Sequence, residues 1–216
     1  MTAKEIAPRG RHAPPLEVRK ERQRRRLFSA ASAVFARLGY AEATAEAIAR
    51  EAGMSKATFY EHFDNKEDCI VALFDASSRA VLAGMREAAK LPSDDPYVRY
   101  RAAIAAFLEA LAAFPDESQT LLVEIIGAGP AAMERRDRVF AAFARFIDET
   151  NATDAATGAV PRLASPEDAF AIVGAAVELA SRQLRVGRPA ELSALAPVIE
   201  RLIYGLLEAA VARAAA

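Results

Sequence analysis

The sequence predicts an all-α fold with a small N-terminal helix-turn-helix unit and a larger C-terminal helical domain. Three observations carry this. Alanine is very frequent and β-branched runs are scarce, which favours helix over strand. Apolar residues recur at spacings of three and four along most of the chain. Gly and Pro collect between these periodic segments, where they punctuate helices instead of interrupting them.

The elements follow in order. Residues 1–15, with Pro8, Gly10, Pro14 and Pro15, read as a flexible basic arm. From Leu16 a helix begins whose apolar stripe, Leu27, Ala31, Val34, Phe35 and Leu38, is ended by Gly39. Thr44 caps a short helix over Ala45 to Ala52, Gly53 supplies a tight turn, and Ser55 caps a second short helix over Lys56 to His62. Met54, Phe59 and Phe63 are the buried positions of this pair. Asn65 caps a longer connector helix that opens at Lys66, with Asp68 in its first turn, where the helix dipole favours negative charge.

"KLPSDDP" at 90–96 is the first strong break. The expected division is an arm at 1–15, a helix-turn-helix domain with its connector helix at 16–88, and a second domain at 89–216. Beyond the break, helices are expected at about 97–113, 116–127, 130–150, 166–186 and 189–214, with a kink or restart at Pro197.

Composition excludes several classes. The chain has 216 residues, 53% hydrophobic and 26% charged, as a globular domain does. No segment reaches the roughly 20 apolar residues that span a bilayer, and the start has no apolar signal core, so a cytoplasmic protein without membrane contact is expected. One cysteine, Cys69, and two histidines, His12 and His62, give no metal cluster, and no cofactor is expected. Cys69 reads as a small buried hydrophobe at the core's edge rather than a redox switch. No histidine pair, carboxylate cluster or nucleophile has a spacing that suggests catalysis.

The net charge of −1 conceals an asymmetry: residues 1–26 hold nine Lys/Arg against three Glu, and the remainder carries −7. A basic end on an acidic body suits a polyanion, or serves only as a solvated tail.

Two short helices joined through a Gly turn behind a longer helix make a helix-turn-helix. A helix that enters a DNA major groove needs one thin apolar stripe for anchorage, with donors on the rest of its surface. Lys56, Thr58, Tyr60 and His62 lie off the Met54–Phe59–Phe63 stripe.

The stretch "AEATAEAIAREAGMSKATFYEHFDNKED", residues 41–68, resembles the DNA-binding segment of the tetracycline-repressor (TetR) family of bacterial transcription regulators, and the similarity runs through roughly residues 20–75. The resemblance implies that Thr44 meets a phosphate through its hydroxyl or the amides it caps. It places Ser55, Lys56, Ala57 and Thr58 nearest the bases, Tyr60 against the backbone or a thymine methyl, and His62 and Lys66 on phosphates. Ala57 stands where the family often has Gly, and a small residue still permits close approach. Glu61 departs from the Tyr or Arg often seen there; it accepts from a cytosine amino group or faces solvent. Arg9, Arg11 and Arg22 are arm contacts, with Arg9 and Arg11 either entering an adjacent minor groove or raising non-specific affinity.

For the C-terminal domain the resemblance implies ligand binding and dimerisation. A cavity for an apolar or amphipathic small molecule would be walled by Phe107, Leu111, Leu122, Ile125, Phe143 and Phe146. Glu124, inside "LLVEII", either anchors the ligand or faces water. "AFAIVGAAVELA" and "LAPVIERLIYGLLEAAV" are apolar enough for a four-helix dimer interface through Gly174, Val177, Ile199, Leu202, Ile203 and Leu206. The expected function is a homodimeric regulator, in the repressor sense, that binds a near-palindromic double-stranded DNA operator and is released by a small effector of unidentified structure. The alternative is a helical adaptor or ligand-binding dimer without sequence-specific DNA binding.

Overall fold

The computed structural model describes residues 15–214. Among them are nine α-helices and no strand. They are α1 (Leu16–Glu42), α2 (Ala45–Glu51), α3 (Lys56–Tyr60), α4 (Lys66–Ala88), α5 (Pro96–Ala113), α6 (Pro115–Leu122), α7 (Pro130–Ala156), α8 (Pro166–Val186) and α9 (Ala196–Ala214), with short 3-10 turns at Glu124–Gly127 and Leu192–Leu195. No helix among the described residues is long and apolar enough to cross a membrane. Arg9 and Arg11 lie outside the described residues.

Local chemistry sets most boundaries. Thr44, Ser55 and Asn65 each accept a hydrogen bond from a first-turn amide of α2, α3 and α4, satisfying donors that have no partner inside the helix. Pro96, Pro115, Pro130 and Pro166 open α5, α6, α7 and α8, where the missing N–H costs nothing. Pro197 falls in the first turn of α9, so the restart is seen and no kink. Inside α1, Gly39 leaves helical geometry at φ 77° and ψ 158°, a region accessible essentially to glycine alone.

Several boundaries differ from the sequence reading, among them the last helix, which starts at Ala196 and not at 189. α2 and α3 stop at Glu51 and Tyr60, so α3 is little more than one turn. The 116–127 segment breaks after Leu122 into the 3-10 turn. α7 runs six residues past 150, through polar residues that look like loop. Asn151 and Asp154 in that extension are buried because tertiary partners hold them. The Asn151 carbonyl accepts from the Leu163 amide and from Arg162, both at 2.9 Å, and Asp154 pairs with Arg99.

The core is continuous from end to end. In the N-terminal part, Leu27, Ala31, Val34 and Phe35 of α1 meet Ile48, Phe59, Phe63 and Ile70, all 2% exposed or less. Removing such area from water, at about 25 cal/mol per Å2, is the main stabilising term. Leu38, expected in this stripe, is 44% exposed, since Gly39 ends the packed face beside it. α4 packs mainly on α5, α7 on α8, and α1 on α6. The α1–α6 contact joins the helix-turn-helix part to the larger helical body independently of α4.

Candidate nucleic-acid interface and ligand cavity

α3 is held by Phe59, which is fully buried, and by Phe63 just after it; their rings lie 5.4 Å apart. Every other α3 residue faces outward to some degree. Lys56, Ala57 and Tyr60 are exposed and Thr58 is half-buried. Tyr60 keeps 49% of its surface in water and stacks edge-on against Phe59 at 5.4 Å. An aromatic left this open beside a rigid ring is positioned to contact a partner.

Several polar side chains are already engaged. The Ser55 hydroxyl caps Thr58 N and lies 3.0 Å from the Thr58 hydroxyl. The Lys56 ammonium sits 3.6 Å from Glu46 in an exposed pair, which a polyanion can displace at little cost. Thr44 accepts from Ala47 N and remains exposed, leaving the α2 N-terminus open to an anion.

Arginines brace the motif from α1. Arg26 donates to the Ala52 carbonyl at 2.7 Å, fixing the end of α2 where Gly53 turns the chain at φ +64°. Arg24 lies over the Phe28 and Phe63 rings at 5.2 and 5.0 Å. Beside them the half-buried His62 approaches Gln23 at 3.4 Å. Burial first, then the nearby Arg24, pushes the His62 pKa below its usual value, so the ring is neutral at physiological pH. Arg22 is exposed on α1. Glu61 terminates α3 and faces solvent. The sequence reading assigned nothing to Gln23 and counted Arg24 and Arg26 only among the basic residues of 9–26 expected to add phosphate contacts; their bracing of the motif depends on how α1 lies across it.

Lys66 corrects that reading. Its ammonium donates to the carbonyls of Tyr40, Ala41 and Ala43 at 2.8, 3.0 and 3.0 Å and lies 4.4 Å over the Tyr40 ring. Three acceptors and an aromatic face occupy it, so it closes the end of α1 and is not available to a phosphate.

The larger part encloses a cavity of about 120 Å3, with an almost wholly apolar lining. Phe107, Leu111, Leu122, Phe143 and Phe146 line it, together with residues of α4 from Phe74 to Met85 and its C-cap Ala89. Ile125 does not; it is fully buried behind the wall. Glu124 does not either. Its carboxylate accepts from the Tyr40 amide at 2.8 Å and from the Gln119 side chain at 3.1 Å, tying α1 to the segment after α6. At the far end stand Arg99, Tyr100 and Asn151. The buried Tyr100 hydroxyl closes no hydrogen bond of normal geometry, although Asn151 and Asp154 lie close enough to bias its proton. Burial raises its pKa well above the usual value, so it stays protonated.

The expected dimer surface is also revised. Val177, Ile199 and Ile203 turn inward onto the cavity wall, since only one stripe of α8 and α9 fits the core. Gly174, Leu202 and Leu206 are half-buried, and space is open beside Gly174 and Gly205. Cys69 is fully buried, and desolvation pushes its thiol up to about 12.

These features define a class: an all-helical helix-turn-helix protein with an apolar cavity in its larger part. Residues 27–73 match the family of bacterial regulatory proteins designated tetR. The transcriptional activator FasR of Mycolicibacterium smegmatis is 34% identical over 90 residues, 42% of this chain and 41% of that protein; the chain thus spans less than half the length of that relative. The fatty acid degradation regulator FadR of Bacillus halodurans shares the fold with a TM-score of 0.75 at 21% identity, covering 86% of this chain and 94% of that one. Bacillus subtilis FadR, solved in complex with stearoyl-CoA, has a TM-score of 0.73 at 19% identity over 82% and 96% of the two chains.

Proposed function

We propose that this chain is a homodimeric transcriptional regulator that binds a near-palindromic operator and is released from it by a small apolar or amphipathic effector. Residues 16–88 serve as the DNA-binding domain with its connector and 89–216 as the effector and dimer domain. Contacts to DNA come from Thr44, Ser55, Lys56, Ala57, Thr58, Tyr60 and His62, with Arg22 reaching the flanking backbone. The outward face of α8 and α9, including Gly174, Leu202 and Leu206, pairs two copies and sets their α3 helices ~34–36 Å apart, one turn of DNA.

One observation carries the regulatory reading. Leu121 and Leu122 line the cavity, and Glu124, two residues on, holds the Tyr40 amide at the end of α1. α4 forms another cavity wall, and its first residue, Lys66, grips the same end of α1. A ligand that moves either wall therefore moves the joint carrying the helix-turn-helix. Effector binding favours a conformation in which the two α3 helices leave the half-site spacing, a population shift. The stearoyl-CoA complex of B. subtilis FadR supports a fatty chain as the apolar part of the effector. Release on effector binding gives repression in its absence.

Gel-shift titration at fixed salt tests this. Tyr60→Ala or Lys56→Ala is expected to weaken operator binding by about tenfold, within the ~1–3 kcal/mol of a base-proximal contact. A fatty acyl ligand is expected to release the wild-type complex. Unchanged affinity in both variants would remove α3 as the reading helix.

A further inference from the structure

A second space adjoins the cavity. It is a cleft of about 180 Å3 between α4 and α7, lined by Asp75, Arg79, Arg135 and Arg138 among others. Ser78 on α4 and Val139 and Phe143 on α7 line both spaces, so the apolar interior and the basic cleft share a wall of three side chains.

The charges of the cleft do not cancel. Arg135 is bound to Asp75. Arg138 has only Glu134 at 3.8 Å, both exposed, a contact of little strength. Arg79 is exposed and has no carboxylate partner among the described residues. Two guanidiniums are thus left for an anion, and a guanidinium presents a planar fork of donors that matches phosphate oxygens.

The opposite end of the cavity is unlike this. There Arg99 is paired with the buried Asp154 and also donates to the Ser93 carbonyl, so a further anion would meet a compensated site. The wall from Phe74 on α4 to Ala89 at its C-cap spans fifteen residue steps, about 22 Å at 1.5 Å per residue. That length suits an extended fatty chain, with its head at the α4–α7 cleft near one end.

We propose that the effector is an acyl chain joined to a phosphate-bearing head, the chain lying along α4 in the cavity and the head held by Arg79 and Arg138 in the α4–α7 cleft. This rests on the reading of the cavity as the effector site and adds the location and charge of the head.

The test is calorimetric titration of the full chain with dodecanoyl-CoA, with the uncharged dodecanoyl N-acetylcysteamine thioester, and with coenzyme A alone. Dodecanoyl-CoA is expected to bind tightest, and its advantage over the uncharged thioester should shrink as salt rises. An Arg79→Ala/Arg138→Ala double variant should bind dodecanoyl-CoA about tenfold or more weakly and the uncharged thioester as before. Both side chains are exposed, and an unchanged melting temperature would show that the variant folds. Equal binding of the two acyl ligands, or full retention of dodecanoyl-CoA affinity by the double variant, would overturn the head site while leaving the cavity reading intact. Coenzyme A binding as tightly as dodecanoyl-CoA would likewise overturn the link between cleft and cavity. If neither acyl ligand binds, the cavity reading falls with it.

Discussion

The Glu124 carboxylate accepts a hydrogen bond from the backbone amide of Tyr40 across 84 residues of sequence, at 2.8 Å. The amide is free because Gly39 breaks helical geometry immediately before it, and Glu124 is placed there because the chain changes from α6 to a 3-10 turn. On the proposed mechanism this bond joins the effector domain to the DNA-binding domain. Glu124→Ala is expected to retain ligand affinity within about twofold while the ligand's power to release operator falls severalfold, a coupling loss of ~1 kcal/mol. Ligand titrations read by calorimetry and by gel shift separate the two quantities; equal release in wild type and variant would exclude this path.

Lys66 provides a sharp contrast between its two possible roles. As a cap on three carbonyls it contributes through partly buried, charge-assisted bonds, so Lys66→Met should lower stability by about 2 kcal/mol in urea unfolding. As a phosphate contact it would instead change the salt dependence of DNA binding, reducing the slope of log K against log salt by roughly one. The expected result is a stability loss with an unchanged slope.

His62 makes stability depend on pH. Its folded pKa lies below the ordinary value of 6.5, so the unfolded chain binds more protons in that range. The sign follows: its contribution is fully present above 6.5 and is lost as pH falls below it. Urea midpoints should drop between pH 7 and 5.5 by a component absent from His62→Gln. The His62 ring protons, followed by NMR, should titrate below 6.5; a midpoint above that value would contradict the burial seen here.

Filling the cavity should silence the effector without unfolding the protein. Ala176 lines it from α8, and Ala176→Phe places a ring in existing space, at about 1–3 kcal/mol for imperfect fit. Acyl-ligand affinity is expected to fall more than tenfold while operator affinity is retained.

The Cys69 thiol should be inert. Full burial and a pKa pushed up to about 12 leave almost no thiolate at neutral pH. Labelling by a disulfide reagent should be negligible in the native protein and complete in denaturant; rapid native labelling would show that the start of α4 opens.

The sequence by itself determined the fold class, the capped starts of α2, α3 and α4, and the apolar anchors Phe59 and Phe63, because caps, turns and 3.6-residue periodicity act over a few neighbouring residues. Its spacing also picked out the outward face of α3, and the family resemblance, applied to the core-facing stripes, picked out five of the cavity residues. Only the tertiary structure decided which side of a doubly apolar helix turns inward, and so moved Val177, Ile199 and Ile203 from the expected dimer surface to the cavity wall. It likewise decided that Glu124 holds Tyr40, that Lys66 closes α1, and that Asn151 and Asp154 extend α7 as buried polar residues. In each case the deciding partner lies 11 to 84 residues away, or the choice is between two apolar faces. A hydrogen bond or packing contact at that separation has no periodic trace in the local sequence.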